Sequence, residues 1–254
     1  MGDLTGVVLA DVPDRPLLLL GPSLGTSAEA LWSRCVDELG GAYHVVGWEL
    51  PGHGRGAPPT AAFGVADLAR GVLGLADRLR PGAAFGYAGV SAGGAVGLQL
   101  LLDAPRRVTA AALLCTAARI GEAAGWHERA ATVRTRGTAA LVEASAGRWF
   151  APGFAAREPV VAGALLDALR AADAAGYAGV CEALAGFDVR TRLAGIDVPV
   201  VAVAGGDDRV TPTAGLAEIA SGVRHGRLVV LDGVAHLAPA ERPAAVAALL
   251  REVI

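Results

Sequence analysis

Ser91 lies in Phe85-Gly86-Tyr87-Ala88-Gly89-Val90-Ser91-Ala92-Gly93-Gly94, a serine with glycine two residues to either side. An apolar run precedes it and an Ala/Leu-rich run follows. This pattern suits a strand that turns into a helix within one residue, with Gly89 and Gly93 letting the two approach closely. The hydroxyl then stands above the sheet, and the new helix points its positive end at the same spot. The chemistry this allows is nucleophilic attack on a carbonyl, with the oxyanion stabilised beside the nucleophile.

A serine hydroxyl is a weak nucleophile at neutral pH, so it needs a base, and the base needs a partner that fixes its tautomer. Among five histidines, His236 in Leu231-Asp232-Gly233-Val234-Ala235-His236-Leu237 follows the last strand-like run and precedes the last helix. That is where sites of open α/β sheets collect. His53, in Pro51-Gly52-His53-Gly54, reads as part of a structural turn, and His44, His127 and His225 as surface or packing residues. For the acid, Gly205-Gly206-Asp207-Asp208-Arg209-Val210-Thr211-Pro212 offers two aspartates, of which Asp208 has the better reach, with Asp232 behind it. The backbone N–H of Ala92 and one from the loop Gly21-Pro22-Ser23-Leu24-Gly25-Thr26, read as that of Leu24, are the expected oxyanion donors.

To position these groups the chain must bring distant segments to one edge. Strands are expected at Gly6–Ala10, Pro16–Leu20, His44–Glu49, Ala84–Val90, Val108–Leu114, Val198–Ala204 and Arg227–Leu231. Helices are expected at Ser27–Leu39, Val65–Leu79, Ala92–Asp103, Thr213–Gly222 and Pro239–Val253. The strand runs are apolar throughout, as expected of strands covered on both faces. Their alternation with helices predicts an α/β protein with a mostly parallel sheet flanked by helices. Between about Arg119 and Leu193 the alternation stops, and a helical insertion is expected over 119–194, capping a core made of 1–118 and 195–254.

Composition narrows the partners. A 53% hydrophobic chain of 254 residues can build a large core, and no run is long enough to cross a bilayer. A net charge of −3, from 22 basic and 25 acidic residues, argues against nucleic acid or an anionic membrane as partner. Three widely spaced cysteines, Cys35, Cys115 and Cys181, read as buried thiols. The N-terminus carries no basic leader ahead of a long apolar core, which makes a cytoplasmic enzyme the expectation.

With these groups placed, the chain resembles the α/β-hydrolase fold throughout, and within it the 3-oxoadipate enol-lactonases. The resemblance rests on Ser23-Leu24-Gly25-Thr26 with Trp32, Arg55 after Gly52-His53-Gly54, and Cys115-Thr116-Ala117-Ala118-Arg119-Ile120-Gly121. It continues in Trp126 with Arg129, Arg148-Trp149-Phe150, Arg157-Glu158-Pro159, and Gly176-Tyr177 before Cys181-Glu182-Ala183. Glu49 stands where many members have Asp, and Pro22 replaces a polar residue.

The resemblance implies a small anionic lactone as substrate, opened to 3-oxoadipate in aromatic-acid breakdown without metal or organic cofactor. Such a substrate carries a carboxylate that an arginine fork would suit. The candidates are Arg119, Arg129, Arg134 and Arg148, with Arg134 preferred and Trp149 as an apolar wall. The alternatives are another ester hydrolase, a hydrolase of carbon–carbon bonds, a cofactor-free perhydrolase, and a binding module that has lost catalysis.

Overall fold

Each apolar run becomes a strand of one sheet; the computed structural model describes residues 2–254. The strands are β1 (Gly6–Ala10), β2 (Leu17–Gly21), β3 (His44–Trp48), β4 (Phe85–Val90), β5 (Val108–Leu114), β6 (Val200–Gly205) and β7 (Gly226–Leu231). Their order is β1-β3-β2-β4-β5-β6-β7; β1 is antiparallel to β3 and every other neighbouring pair is parallel. After β2 the chain moves outward to β3, and after β4 it moves the other way. The direction therefore switches between β2 and β4, where Gly21 is in register with Gly89. Loops leaving a sheet at such a point diverge and open a crevice.

The helices between strands are α1 (Ala28–Glu38), α2 (Val65–Leu79), α3 (Ala92–Asp103) and, after the insertion, α9 (Thr213–Gly222). Ser27 caps α1 by accepting the Ala30 N–H at 3.1 Å, and Asp67 closes the start of α2 by accepting the Gly64 N–H at 2.8 Å. In β4 the faces alternate: Gly86 meets Ile254 at the C-terminus, while Tyr87 meets Gly97 of α3. β4 is thus covered on both sides, and α3, apolar all round, is buried over Ala92–Leu101.

Two expectations need correction. The last helix is two pieces, α10 (Ala238–Glu241) and α11 (Pro243–Val253), because Pro243 excludes helical geometry at Arg242, which lies at φ −137°, ψ 61°. The edge strand β7 is not covered on both faces: Leu228 and Val230 are 37% and 42% exposed. An apolar run signals a strand without saying whether the strand ends at an edge.

From β5 to β6 the described chain forms α4 (Ala123–Arg136), α5 (Val142–Trp149), α6 (Phe154–Arg157), α7 (Pro159–Ala171) and α8 (Ala174–Ala185), with no strand. α4 packs on α8. The Val189 N–H donates to the Ala118 carbonyl at 2.9 Å and closes the neck of this insertion. Residues 190–194, assigned to the insertion on sequence, belong to a short 3-10 turn (Arg190–Gly195) whose Leu193 packs against Gly222 of α9 on the core side.

Candidate active site

Ser91 occupies the turn between β4 and α3 with φ 55° and ψ −112°, a conformation that non-glycine residues rarely adopt. A Cβ at Gly89 would come within 2.4 Å of the Gly93 carbonyl oxygen, and one at Gly93 within 2.7 Å of the Gly21 backbone. Both glycines are therefore required by close approach. The Ser91 N–H donates to the Leu114 carbonyl at 2.9 Å, and Thr116 Oγ1 donates to the Ser91 carbonyl at 2.8 Å. The glycine spacing alone does not single out Ser91, since Gly21-Pro22-Ser23-Leu24-Gly25 repeats it. Ser23 sits in the loop from β2 to α1 rather than at an immediate turn into a helix; its N–H and carbonyl both bond Thr26 Oγ1, at 3.1 and 2.9 Å, closing that loop.

His236 and Asp208 meet at the other side of the crevice, on the loops after β7 and β6. His236 Nδ1 bonds Asp208 Oδ2 at 2.9 Å, and both side chains are almost fully buried. Asp208 also accepts from Thr211 Oγ1 (2.7 Å), the Val210 N–H (2.7 Å) and the Thr211 N–H (3.1 Å). Burial pushes its carboxyl upward, but the bonds from His236 and Thr211 outweigh this and hold it below the usual carboxylate value. It stays an ion able to orient the imidazole. Asp207 instead faces outward on the rim, and Asp232 is exposed. No hydrogen bond joins Ser91 Oγ to His236 among the described residues.

The loop after β2 lies against α3 because the Gly93 N–H donates to the Pro22 carbonyl at 2.9 Å. The Ser23–Thr26 closure leaves the Leu24 N–H without a protein acceptor, and the Ala92 N–H, first in α3, has no helical acceptor. Trp149 spans the crevice. Its ring lies 3.3 Å from where a side chain at Gly25 would begin, and its carbonyl accepts the His236 N–H at 3.1 Å.

The arginines need a correction. Arg134 is exposed and paired with Glu182 at 2.8 Å. Five residues beyond Arg129 on α4, it is turned by about 140° around the helix. Arg129, Arg148 and Arg209 instead line a cavity of about 230 Å³ with Ile120, Trp126 and Val210. Among the described residues none of the three has a carboxylate partner; the one acidic group lining the cavity, Glu122, is paired with Arg119. The Arg129 guanidinium lies 5.5 Å over the Trp126 ring and 3.5 Å from the Tyr177 hydroxyl. Burial, then the nearby charge of Arg129, lowers the Arg148 pKa. Arg209 directly follows Asp208, which ties this cavity to the acid loop.

His53 keeps its structural reading: it is buried, its Nδ1 bonds the Pro51 carbonyl at 2.9 Å, and its ring stacks on Tyr177 at 5.8 Å. His44 is buried, while His127 and His225 are exposed. All three cysteines are buried thiols. Sequence reasoning missed Thr116, Thr211 and Glu241. Only Thr211, three residues after Asp208 in a turn, carried a readable signal. No helix is long and apolar enough to cross a membrane among the described residues.

This geometry has counterparts in known proteins. The model of the alpha/beta hydrolase family matches residues 17–249. The chain is 36% identical to 3-oxoadipate enol-lactonase 2 of Acinetobacter baylyi, over 91% of this chain and 86% of that protein. It is 31% identical to 3-oxoadipate enol-lactonase 1 of the same organism, over 91% of this chain and 85% of that protein. The crystal structure of the enol-lactonase from Burkholderia xenovorans LB400 superposes with a TM-score of 0.92 at 33% identity, covering 98% of this chain and 95% of that one. A strained serine at a strand-to-helix turn, a buried His–Asp pair across the crevice and a match running from the first parallel strand into the last helix agree, and the chain is a hydrolase belonging to the alpha/beta hydrolase family.

Proposed function

We propose that this hydrolase opens the ring of an anionic enol-lactone, 3-oxoadipate enol-lactone, to give 3-oxoadipate. The observation that carries the choice of substrate is the group Arg129, Arg148 and Arg209, three cations without carboxylate partners around one small cavity beside the acid loop. The named activity of the two Acinetobacter relatives supports the same reading.

In this reading Ser91 Oγ attacks the lactone carbonyl and His236 takes its proton, with Asp208 holding the imidazolium. The Leu24 and Ala92 N–H groups receive the oxyanion. The ring C–O bond then breaks, and the ring oxygen leaves as an enolate. It takes up a proton and becomes a ketone, leaving the acyl chain on Ser91. Water, deprotonated by His236, attacks the ester and releases the second carboxylate. No step calls on a metal or organic cofactor. Arg129 and Arg148 hold the substrate's existing carboxylate, and an anion between them relieves their mutual repulsion. Trp126 and Trp149 supply apolar walls.

Ring opening followed by loss of enol-lactone absorbance tests this directly. Rapid turnover by the wild type is expected, with a neutral p-nitrophenyl ester cleaved far less efficiently. A kcat/KM for the neutral ester equal to or above that for the lactone rejects the substrate assignment and leaves an ester hydrolase.

A further inference from the structure

His236 follows β7, an edge strand with exposed apolar residues, and the loop between them contains Gly233 at φ +66°. Strand packing alone is a poor anchor for a base that must hold its place to within an ångström. The anchor is found elsewhere. Glu241 Oε1 accepts the Ala235 N–H at 3.0 Å, and its Oε2 accepts the Ala151 N–H at 2.9 Å. The His236 N–H, between those of Ala235 and Leu237, goes to the Trp149 carbonyl. Two successive amides of the base loop are thus tied down, one by Glu241 and one by the cap. The same carboxylate grips the cap two residues beyond Trp149.

We propose that Glu241 is a positioning residue that locks the base loop to the cap, so that His236 keeps its place only while the cap segment 149–151 is seated. The proposal rests on the triad reading above. Glu241 does not touch substrate in it; its carboxylate joins the binding half of the site to the reacting half. Burial, eased in part by these amides, raises its carboxyl above the usual value.

The test uses diethyl p-nitrophenyl phosphate, which needs no carboxylate recognition. Ser91 Oγ bonds to phosphorus, the serine proton passes to His236, and p-nitrophenolate leaves. Glu241→Gln keeps the shape but turns one acceptor oxygen into an NH₂ that faces an amide donor. The labelling rate is expected to fall about 10–100-fold, the loss typical of a displaced supporting group. Near-UV circular dichroism should be unchanged and KM for the lactone should stay within about threefold, a split that general destabilisation does not give. Labelling within about twofold of wild type overturns the proposal. Amide exchange in the wild-type protein is the second measurement, independent of any variant. The Ala151 and Ala235 amides should open together, with protection agreeing within about tenfold; an Ala151 amide more than about a hundredfold faster than that of Ala235 overturns the lock. Ser91→Ala labelled as fast as wild type would instead remove the triad reading, and the exchange pattern would still decide whether the two segments open as one.

Discussion

In the proposed reading, the reacting groups and the arginine cavity are built on different principles. Ser91, Asp208 and His236 are buried, short and fixed by the backbone: a strained turn, a four-bond carboxylate and a tied loop. Arg129, Arg148 and Arg209 are long, half-buried or exposed, and lack carboxylate partners. Backbone-fixed groups give geometry that few substitutions tolerate. Long side chains give an electrostatic preference that one or two substitutions can redirect. On that reading, chemistry is the rigid half of this molecule and selectivity the adjustable half.

The largest effect should come from the rigid half. Ser91→Ala is expected to lower kcat for ring opening by about 10⁴-fold or more while the lactone still binds. Retained turnover would break the contrast at its root. In the adjustable half, Arg129→Ala with Arg148→Ala should raise KM for the lactone about 30–100-fold and change kcat little, matching one or two lost charge-assisted bonds. KM for a neutral ester should not move, and an equal loss on both substrates would mean the arginines support structure rather than selectivity.

The contrast also reaches the titration behaviour. Glu49 is buried on the core side; burial raises its pKa to about 7, although the Ala28 and Arg55 amides lower it. Its folded value exceeds its ordinary 4.5, so its contribution is fully present below pH 4.5 and is lost as pH rises through about 7. His53, stacked on the cap's Tyr177, goes the other way. Burial lowers it to about 4, so its contribution is present above pH 6.5 and is lost as pH falls through about 4. The two oppose each other across mildly acidic pH, with Glu241 leaning the same way as Glu49. Glu49→Gln should unmask His53, making the stability-versus-pH slope more positive by up to about 1.4 kcal/mol per pH unit. Urea unfolding from pH 4.5 to 7 checks this; an unchanged slope would show that Glu49 does not titrate in that window.

The smallest effect concerns the cap alone. Asp173 caps α8 by accepting the Gly176 N–H at 2.7 Å, and its own N–H donates to the Gly52 carbonyl at 2.8 Å. Asp173→Ala should cost about 1 kcal/mol. Faster amide exchange is expected in α8 but not in β4, and equal acceleration in both would mean that cap and core unfold as one unit.

Much of this was legible because the core is locally consistent. The bounds of α2, α3 and α9 follow from the sequence, since each is an Ala/Leu-rich run that follows a strand-like run and is set off from it by a turn or loop. The break at Pro243 was present in the residues, but the apolar pattern continues across it and hides it. The exposure of β7 was not legible, because an apolar run reads the same at an edge and at a centre. Asp208 was separable from Asp207 by reach, yet the turn with Thr211 shows why it faces inward. Arg134 points away from the cavity that Arg129 lines and pairs with Glu182, a difference that the spacing of the two on one helix already carries. Glu241 was invisible because its partners are backbone amides, which every sequence offers everywhere.

The single hydrogen bond from Val189 to Ala118 has a consequence for how such proteins diversify. Both ends of a seventy-residue excursion, about the span of that bond, enter and leave through one doorway. Replacing everything beyond the doorway leaves every strand pairing intact. A lineage could therefore exchange this cassette wholesale and acquire new substrates without refolding its sheet, provided the newcomer still offers an amide for the carboxylate at 241.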